Sequence, residues 1–261
     1  MECVNYVLQY VNSSNLEQLV PRLIELIKSS PGLVTKGGTS VLINNLTNQC
    51  PLDLQPYTGK LLAALVAGLS DRNPAVRMQY AKTIGQLMRT AKESSKEKLF
   101  AKLKTWYMEK EDDMSRVSVA FTFKGISSYS PDVMKNYANV AMPIAFLAMH
   151  EEKKVAGAEG TDDNNNNLQE IWEEIWQDGT PGNEGGIRLY LNEIMELIPK
   201  AMESGQWSVK AQAARAMGTI CTKLGGTINP AVQKRIAALL ISALAGRTWA
   251  GKECIMRSLQ G

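Results

Sequence analysis

Residue types that commonly do chemistry in enzymes are sparse in this chain of 261 residues. Its one histidine, His150, precedes Glu151 and Glu152, and no neighbouring serine or cysteine forms a nucleophile–base pair with it. The four cysteines are far apart in the sequence: Cys3, Cys50, Cys221 and Cys254. This spacing is typical of reduced, buried thiols rather than of a zinc site or a disulfide framework. The sequence therefore predicts no catalytic residue, no metal site and no bound cofactor, and we expect a protein that is not an enzyme.

Two tryptophans are the strongest candidates for binding a partner protein. Trp172 and Trp176 are four residues apart, so they share one face of a predicted short helix, with Leu168 on the same stripe and acidic residues on the other side. One interpretation is that both rings fill the core where a structural unit is short. The other is that they form an aromatic anchor at an interface, because tryptophan is over-represented in interface hot spots. On this basis Trp172 and Trp176 are the candidate protein-binding residues.

The charge distribution argues against a nucleic-acid-binding protein. The formal net charge is +3, from 29 lysines and arginines against 26 aspartates and glutamates, whereas a duplex-binding domain usually has a clustered basic excess. A local basic excess consists of Lys92, Lys96, Lys98, Lys102 and Lys104. Acidic residues at 109–113 follow it directly, so we interpret it as a solvated helix face. The rival hypothesis, a helical repeat that binds nucleic acid, requires a continuous basic groove. The chain also lacks the long apolar run of a membrane-spanning helix, and we predict no membrane insertion.

An internal repeat is the strongest signal in the sequence. Residues 75–85 and 208–218 align at one offset of 133 residues, with Arg77 matched by Lys210 and with Gly85 matched by Gly218. Apolar residues recur three and four positions apart in paired segments, and the pairs follow one another about every 40 residues. A fixed period of this size is the signature of stacked helical hairpins, which bury their apolar faces against one another and leave long outer surfaces for partners.

Prolines and turns indicate which type of hairpin is repeated. Pro21, Pro143 and Pro199 each lie inside the predicted first helix of a hairpin, where proline bends a helix. Asn73 precedes Pro74 at the predicted start of a second helix, so we expect Asn73 to cap that helix. A bent first helix, a turn with Asp or Asn, and a second helix that opens with Val and a basic residue are typical of HEAT repeats. We therefore predict an all-α, HEAT-like helical-repeat solenoid of about six hairpins.

Two further features lead to predictions about packing. Gly37 and Gly38, near the start of the second helix of the first hairpin, are expected to allow a close approach of helices. The basic residues Arg77, Lys210 and Lys252 recur at the turns. We expect them to bind turn carbonyl oxygens or to pair with acidic residues of the next hairpin.

The chain divides into three parts by its patterning. Residues 1–150 are predicted to contain a partial first helix and about three and a half HEAT-like hairpins. Residues 151–167 have no periodic apolar pattern and include four consecutive asparagines, so we predict a disordered insertion. Residues 168–261 are predicted to contain further hairpins, the last one truncated. Because both ends of the chain cut through a hairpin, we expect a piece of a longer array.

Particular stretches of the sequence resemble one family beyond the general repeat. They are LSDRN (69–73), MRTAK (88–92), WYMEKE (106–111), YSPDV (129–133), AFLAMHE (145–151), GGIRLYL (185–191) and LAGRTWAGKE (244–253). In this order they resemble the C-terminal half of the giant HEAT-repeat proteasome adaptors and scaffolds. The resemblance covers nearly the whole chain and fails in residues 151–167.

The resemblance implies a non-enzymatic adaptor that binds the assembled proteasome, with its core and regulatory particles, or tethers it to endosomes, the endoplasmic reticulum, the centrosome or motor proteins. It also implies a location in the cytoplasm and the nucleus. No binding residue carries over by position. The alternative in the same broad class is a nuclear-transport receptor or another HEAT scaffold, which predicts acidic patches that bind basic cargo signals.

Overall fold

The computed structural model describes residues 13–29, 32–110, 112–152, 168–249 and 251–260, in two compact units, Met1–Asn136 and Tyr137–Gly261. In the first unit the helices are α1 (Ser13–Ser29), α2 (Leu33–Gln49), α3 (Pro51–Gly68), α4 (Pro74–Leu87), α5 (Glu93–Glu109), α6 (Asp113–Tyr129) and α7 (Pro131–Asn136). In the second they are α8 (Ala138–Ala148), α9 (Leu168–Gly179), α10 (Asn183–Leu189), α11 (Leu191–Glu203), α12 (Trp207–Leu224), α13 (Pro230–Ala245) and α14 (Glu253–Gln260), with a 3₁₀ turn at Gly225–Thr227.

The regular structure of these described residues is helical throughout, as the sequence predicts. None of the described helices is long and apolar enough to cross a membrane. The predicted partial helix at residues 1–11 lies outside the described residues, and so do residues 153–167 of the predicted insertion.

Three hairpins make up most of the first unit, with α1 packed on α2, α3 on α4, and α5 on α6. The first helices α1 and α3 also pack on each other, and the second helices pack in the order α2, α4, α6. Each hairpin thereby buries its apolar faces against its neighbours. The predicted cap of α4 is confirmed, because Asn73 Oδ1 accepts a hydrogen bond of 2.9 Å from the Ala75 amide and Pro74 opens the helix.

The helices α4 and α6 come into backbone contact at two facing glycines. A Cβ atom on Gly85 would overlap the carbonyl group of Gly125, and one on Gly125 would lie 2.6 Å from the carbonyl oxygen of Ala81. Backbone atoms cannot swing aside as a flexible side chain can, so the contact requires glycine at both positions. The close approach predicted at Gly37 and Gly38 is wrong, since a Cβ atom at either would meet nothing within 4 Å. These two glycines border an open groove between α2 and α4.

The predicted role of the recurring basic residues is confirmed at Arg77 and Lys252. Arg77 donates to two carbonyl oxygens of the preceding turn, at 2.9 and 3.1 Å, and Lys252 donates to two of its own preceding turn, at 2.6 and 3.3 Å. Lys36 of the first hairpin also pairs with Asp71 in the turn of the second, at 2.5 Å between Nζ and Oδ2. Basic side chains thus stabilise the turns and connect neighbouring hairpins on this side of the first unit.

The second unit repeats the hairpin arrangement with irregular parts. Helix α8 packs on α9 and α11, α11 packs on α12 and α13, and α12 packs on α14, while the short α10 packs on α12. The prolines lie inside first helices as predicted: Pro21 in α1, Pro143 in α8 and Pro199 in α11. The last helix begins at Glu253, shortly after Gly251, which adopts a left-handed φ of 92°.

The glycine contact between α4 and α6 leads to a matched pair of substitutions. We expect Gly85→Ala to lower the free energy of unfolding by about 3 kcal/mol or more, because the added methyl group meets backbone atoms. Gly37→Ala adds the same methyl group to open space in α2 and should stabilise the chain by up to about 1 kcal/mol. Urea denaturation followed by circular dichroism measures both. Equal effects of the two substitutions would contradict the requirement for glycine at the α4–α6 contact.

Candidate protein-binding surfaces

The candidate residues Trp172 and Trp176 lie on α9, whose 12 residues place apolar side chains on one face and acidic side chains on the other. Both tryptophans are buried, each with only 1% of its surface exposed. The structure thus places both rings in the core of a short unit, the first of the two interpretations. Neither ring presents a surface that a partner protein could contact in this conformation.

Trp176 connects several helices of the second unit. Its indole Nε1 donates a hydrogen bond of 2.9 Å to Asn183 Oδ1 at the start of α10. Its ring centroid lies 5.3 Å from that of Phe146 on α8 and 6.4 Å from that of Tyr190, between α10 and α11. A Cβ atom on Gly186 would lie 2.7 Å from the indole ring, so α10 packs directly on it. The ring therefore fixes the positions of α8, α9 and α10 where the hairpin pattern is least regular.

His150 is a partly buried histidine that joins the end of α8 to α12, and its lowered pKa favours the neutral ring. Its Nδ1 lies 2.7 Å from the carbonyl oxygen of Phe146, and its Nε2 lies 2.7 Å from Thr219 Oγ1 on α12. Because a carbonyl oxygen only accepts, Nδ1 carries the proton and Nε2 accepts from the threonine hydroxyl. Burial lowers the pKa of His150 and the positive charge of Arg215 adds to this, against the opposing effect of the Phe146 hydrogen bond.

The contact between His150 and the hydroxyl group of Thr219 is not predicted by the sequence. The two residues are 69 positions apart, and no local pattern brings them together. A hydroxyl beside an imidazole is the geometry of a nucleophile and its base. Here, however, Thr219 lies inside α12, whose backbone amides are bonded within the helix and cannot stabilise an oxyanion. The described residues also contain no group of three His, Cys, Asp or Glu side chains that could hold a metal ion.

An apolar groove lies between α2 and α4 of the first unit. It has a volume of about 440 Å³, and its lining includes Leu33, Val34, Val41 and Val76. Val34 is 88% exposed and Leu33 is half exposed. Apolar side chains at this exposure on a helix start are available to a partner. No sequence pattern indicates this groove, because Leu33 and Val34 are ordinary apolar residues at the start of a helix.

The lysine-rich face of α5 is partly engaged within the protein itself. Lys102 and Lys110 lie over the Trp106 ring, with Nζ 5.2 and 4.2 Å from its centroid, and Lys96 pairs with Glu93 at 3.2 Å. Lys92 and Lys98 are exposed. Acidic residues are interspersed with these lysines, which fits the predicted solvated helix face.

The burial of Trp176 leads to a test of its structural role. We expect Trp176→Ala to lower the free energy of unfolding by about 3–5 kcal/mol, because it removes a large buried ring and leaves a cavity. Trp176→Phe keeps most of the packing but loses the bond to Asn183, so its cost should be clearly smaller. Chemical denaturation of the two variants provides the measurement. A stable Trp176→Ala variant that loses only partner binding would instead support the interface interpretation.

His150 leads to a prediction of pH dependence, which is easy to isolate because the chain has a single histidine. The pKa of His150 is below its ordinary value of 6.5 in the folded chain, so between the two pKa values the unfolded chain binds a proton that the folded chain does not. The free energy of unfolding should therefore fall as the pH is lowered below about 6.5. His150→Gln should remove this part of the pH slope. An unchanged slope in the variant would show that His150 does not cause it.

The sequence is similar to known proteins along nearly its whole length. Residues 1–108 match the family model described as the HEAT-repeat domain of the proteasome adapter and scaffold protein ECM29. The human proteasome adapter and scaffold protein ECM29 is 48% identical over 259 residues, which cover 99% of this chain and 14% of the human protein. The ECM29 homolog of Drosophila melanogaster is 35% identical, and the Saccharomyces cerevisiae proteasome component ECM29 is 26% identical over 95% of this chain. The chain thus spans about one seventh of the length of these curated relatives.

Two solved structures also show partial likeness to the chain. A computationally designed armadillo repeat protein aligns with a TM-score of 0.36 and 11% identity, over 92% of this chain and 98% of that one. An engineered protein aligns with a TM-score of 0.37 and 14% identity, over 92% and 97%. The helical-repeat fold itself is established by the hairpins described above. Along nearly its whole length, the chain is similar to one stretch of the ECM29 proteasome adapter and scaffold proteins, as the resemblance in its sequence predicts.

Proposed function

We propose that this chain is a non-enzymatic scaffold segment that binds the assembled proteasome, or tethers it to other cellular components, through the surfaces of its paired helices. The observation that carries the proposal is its relation to proteasome adapter and scaffold proteins over 99% of its length. The relatives are much longer than this chain, so the segment contributes one part of a larger binding surface.

The physical character of the helices supports a binding role over a catalytic one. The large apolar side chains of α9 are buried in the core. Burial also favours the neutral form of His150, whose two ring nitrogens are bonded to a carbonyl oxygen and a hydroxyl group. What remains accessible is a set of long helix faces, some apolar and some charged. Such surfaces suit large protein partners, which are recognised by extended complementarity rather than by a deep pocket.

The alternative is a nuclear-transport receptor or another HEAT scaffold, which would bind basic cargo signals through acidic patches. In the second unit, the groove between the second helices α12 and α14 is lined by Arg215, Lys223 and Arg257 and by no acidic residue. A basic surface repels basic cargo signals, so this groove is not one of the acidic patches that the transport receptor requires.

The proposed partners are the core and regulatory particles of the proteasome, with endosomal, endoplasmic-reticulum or motor proteins as the targets of tethering. The proposed location is the cytoplasm and the nucleus, with association to endosomes, endoplasmic reticulum or centrosome. The relatives named as proteasome adapter and proteasome component support the first part of this proposal. The tethering targets and the location rest on the sequence resemblance alone.

A pull-down from cell lysate with the chain as bait, combined with chemical cross-linking and mass spectrometry, tests the proposal. We expect proteasome subunits to be recovered with cross-links on particular helices. The Gly85→Ala chain is the control, and recovery should fall if binding needs the intact hairpins. Motor or vesicle proteins without proteasome subunits would assign the segment to tethering alone.

If neither class of protein is recovered, while the full-length adapter recovers proteasomes under the same conditions, the proposed binding role of this segment is wrong. The segment would then act as a spacer between binding parts of the longer protein.

A further inference from the structure

A cluster of positive charge lies in a groove between two second helices of the second unit. The basic groove is formed by Arg215, Gly218, Thr222 and Lys223 of α12 and by Arg257 and Ser258 of α14. It has a volume of about 310 Å³. Within the lining, Arg215, Thr219 and Lys223 are four positions apart on α12, so they lie along one side of the helix, which faces α14.

The floor of the basic groove is a close helix contact. Ser258 Oγ lies 2.8 Å from the carbonyl oxygens of both Ala214 and Cys254, so its hydroxyl is engaged by backbone on either side. A Cβ atom on Gly218 would lie 2.8 Å from the same Oγ, which shows how near the two helices are. This close packing fixes the positions of α12 and α14, which carry the charged side chains of the basic groove.

The charges that line the basic groove are all positive. Arg215 is 26% exposed and pairs with Glu152 at 3.1 Å at one end of the groove, while also donating to the carbonyl oxygen of His150 at 3.0 Å. Lys223 and Arg257 are exposed, and neither forms an ion pair within the described part of the chain. The adjoining cavity is bordered by Arg215 and Arg257 together with Glu151, Glu152 and Glu253, so acidic residues lie beside the basic groove but do not line it.

The hydroxyl groups of Thr222 and Ser258 are bonded to backbone carbonyl oxygens, so the positively charged side chains are the groups that can bind a ligand in the basic groove. Thr222 Oγ1 donates to the carbonyl oxygen of Gly218 at 2.9 Å, and the Ser258 hydroxyl is engaged at the floor. The backbone amides of α12 are bonded within the helix, so they offer no cluster of N–H groups for a phosphate. No aromatic ring lines the groove to stack on a nucleic-acid base. Carboxylate groups are the anions that fit these long, separated side chains.

The length of the basic groove limits the size of its ligand. Arg215 and Lys223 are eight residues apart on α12, which corresponds to about 12 Å along a helix. An extended peptide of three or four residues covers about the same distance. In such a peptide every second side chain points the same way, so two carboxylates reach the groove.

We propose that the basic groove binds a short acidic segment of a partner protein, with aspartate or glutamate carboxylates paired to Lys223 and Arg257. Arg215 contributes a third positive charge at the end where it already holds Glu152. This inference goes beyond the scaffold role, because it names the chemistry of one partner segment and its place on the chain. It does not depend on which assembly supplies that segment.

Fluorescence polarisation of a labelled ten-residue peptide rich in Asp and Glu tests the proposal on the whole chain. A matched peptide with Asn and Gln at the same positions is the ligand control. The acidic peptide should bind in a saturable manner that weakens as salt is raised, and the amide peptide should not bind. Lys223→Gln and Arg257→Gln should each weaken binding about fivefold, and the double variant should abolish it.

Lys234→Gln and Arg235→Gln, on the exposed part of α13, are the matched controls, because they remove the same charge outside the groove. They should leave the affinity unchanged, and circular dichroism should show that all five variants are folded. The proposal is overturned if the acidic peptide does not bind, if the control variants weaken binding equally, or if a phosphopeptide or an RNA oligonucleotide binds the groove more tightly than the acidic peptide. None of these outcomes bears on recovery of the proteasome, so failure here is distinct from failure of the scaffold proposal.

Discussion

The architecture depends on contact between successive second helices at positions where the side chains are minimal. In the first unit Gly85 of α4 meets the backbone of Gly125 on α6, and in the second Gly218 of α12 meets Ser258 of α14. Both pairs are related by the same offset of 133 residues that aligns the repeated segments. A hairpin cannot bury its apolar faces alone, so this contact sets how closely each hairpin joins the next. The repetition of glycine in the sequence therefore has a direct physical cause.

Much of the fold could be predicted from the sequence because its causes are local. Apolar residues three and four positions apart predict paired helices, and Asn73 with Pro74 predicts the cap of α4. The expected close approach at Gly37 failed because a glycine in sequence does not reveal whether a neighbouring helix faces it. The real contact, Gly85 on Gly125, joins residues of two different hairpins. Its partner could be identified only once the register between hairpins was known.

The candidate binding residues were harder to predict than the helices, because their surroundings come from distant parts of the sequence. The spacing of Trp172 and Trp176 correctly places both on one helix face, but the pattern alone left open whether that face is buried. Burial depends on Asn183 and Gly186, which belong to a later helix. Likewise the cations Lys223 and Arg257 belong to helices separated in sequence, and neither segment is basic enough to predict a groove between them. Surface sites of a helical repeat are properties of pairs of helices, whereas sequence patterns describe single ones.

The account implies a protein whose chemistry lies in its surfaces, with each hairpin exposing faces that its own core does not need. We propose that these faces bind the proteasome. The most direct measurement is sedimentation of the fluorescently labelled chain with increasing amounts of purified, assembled proteasome. The account predicts that the chain moves with the proteasome and saturates at a defined ratio, and that unlabelled chain displaces it. A chain that sediments alone at every proteasome concentration, while circular dichroism shows it to be folded, would contradict the claim.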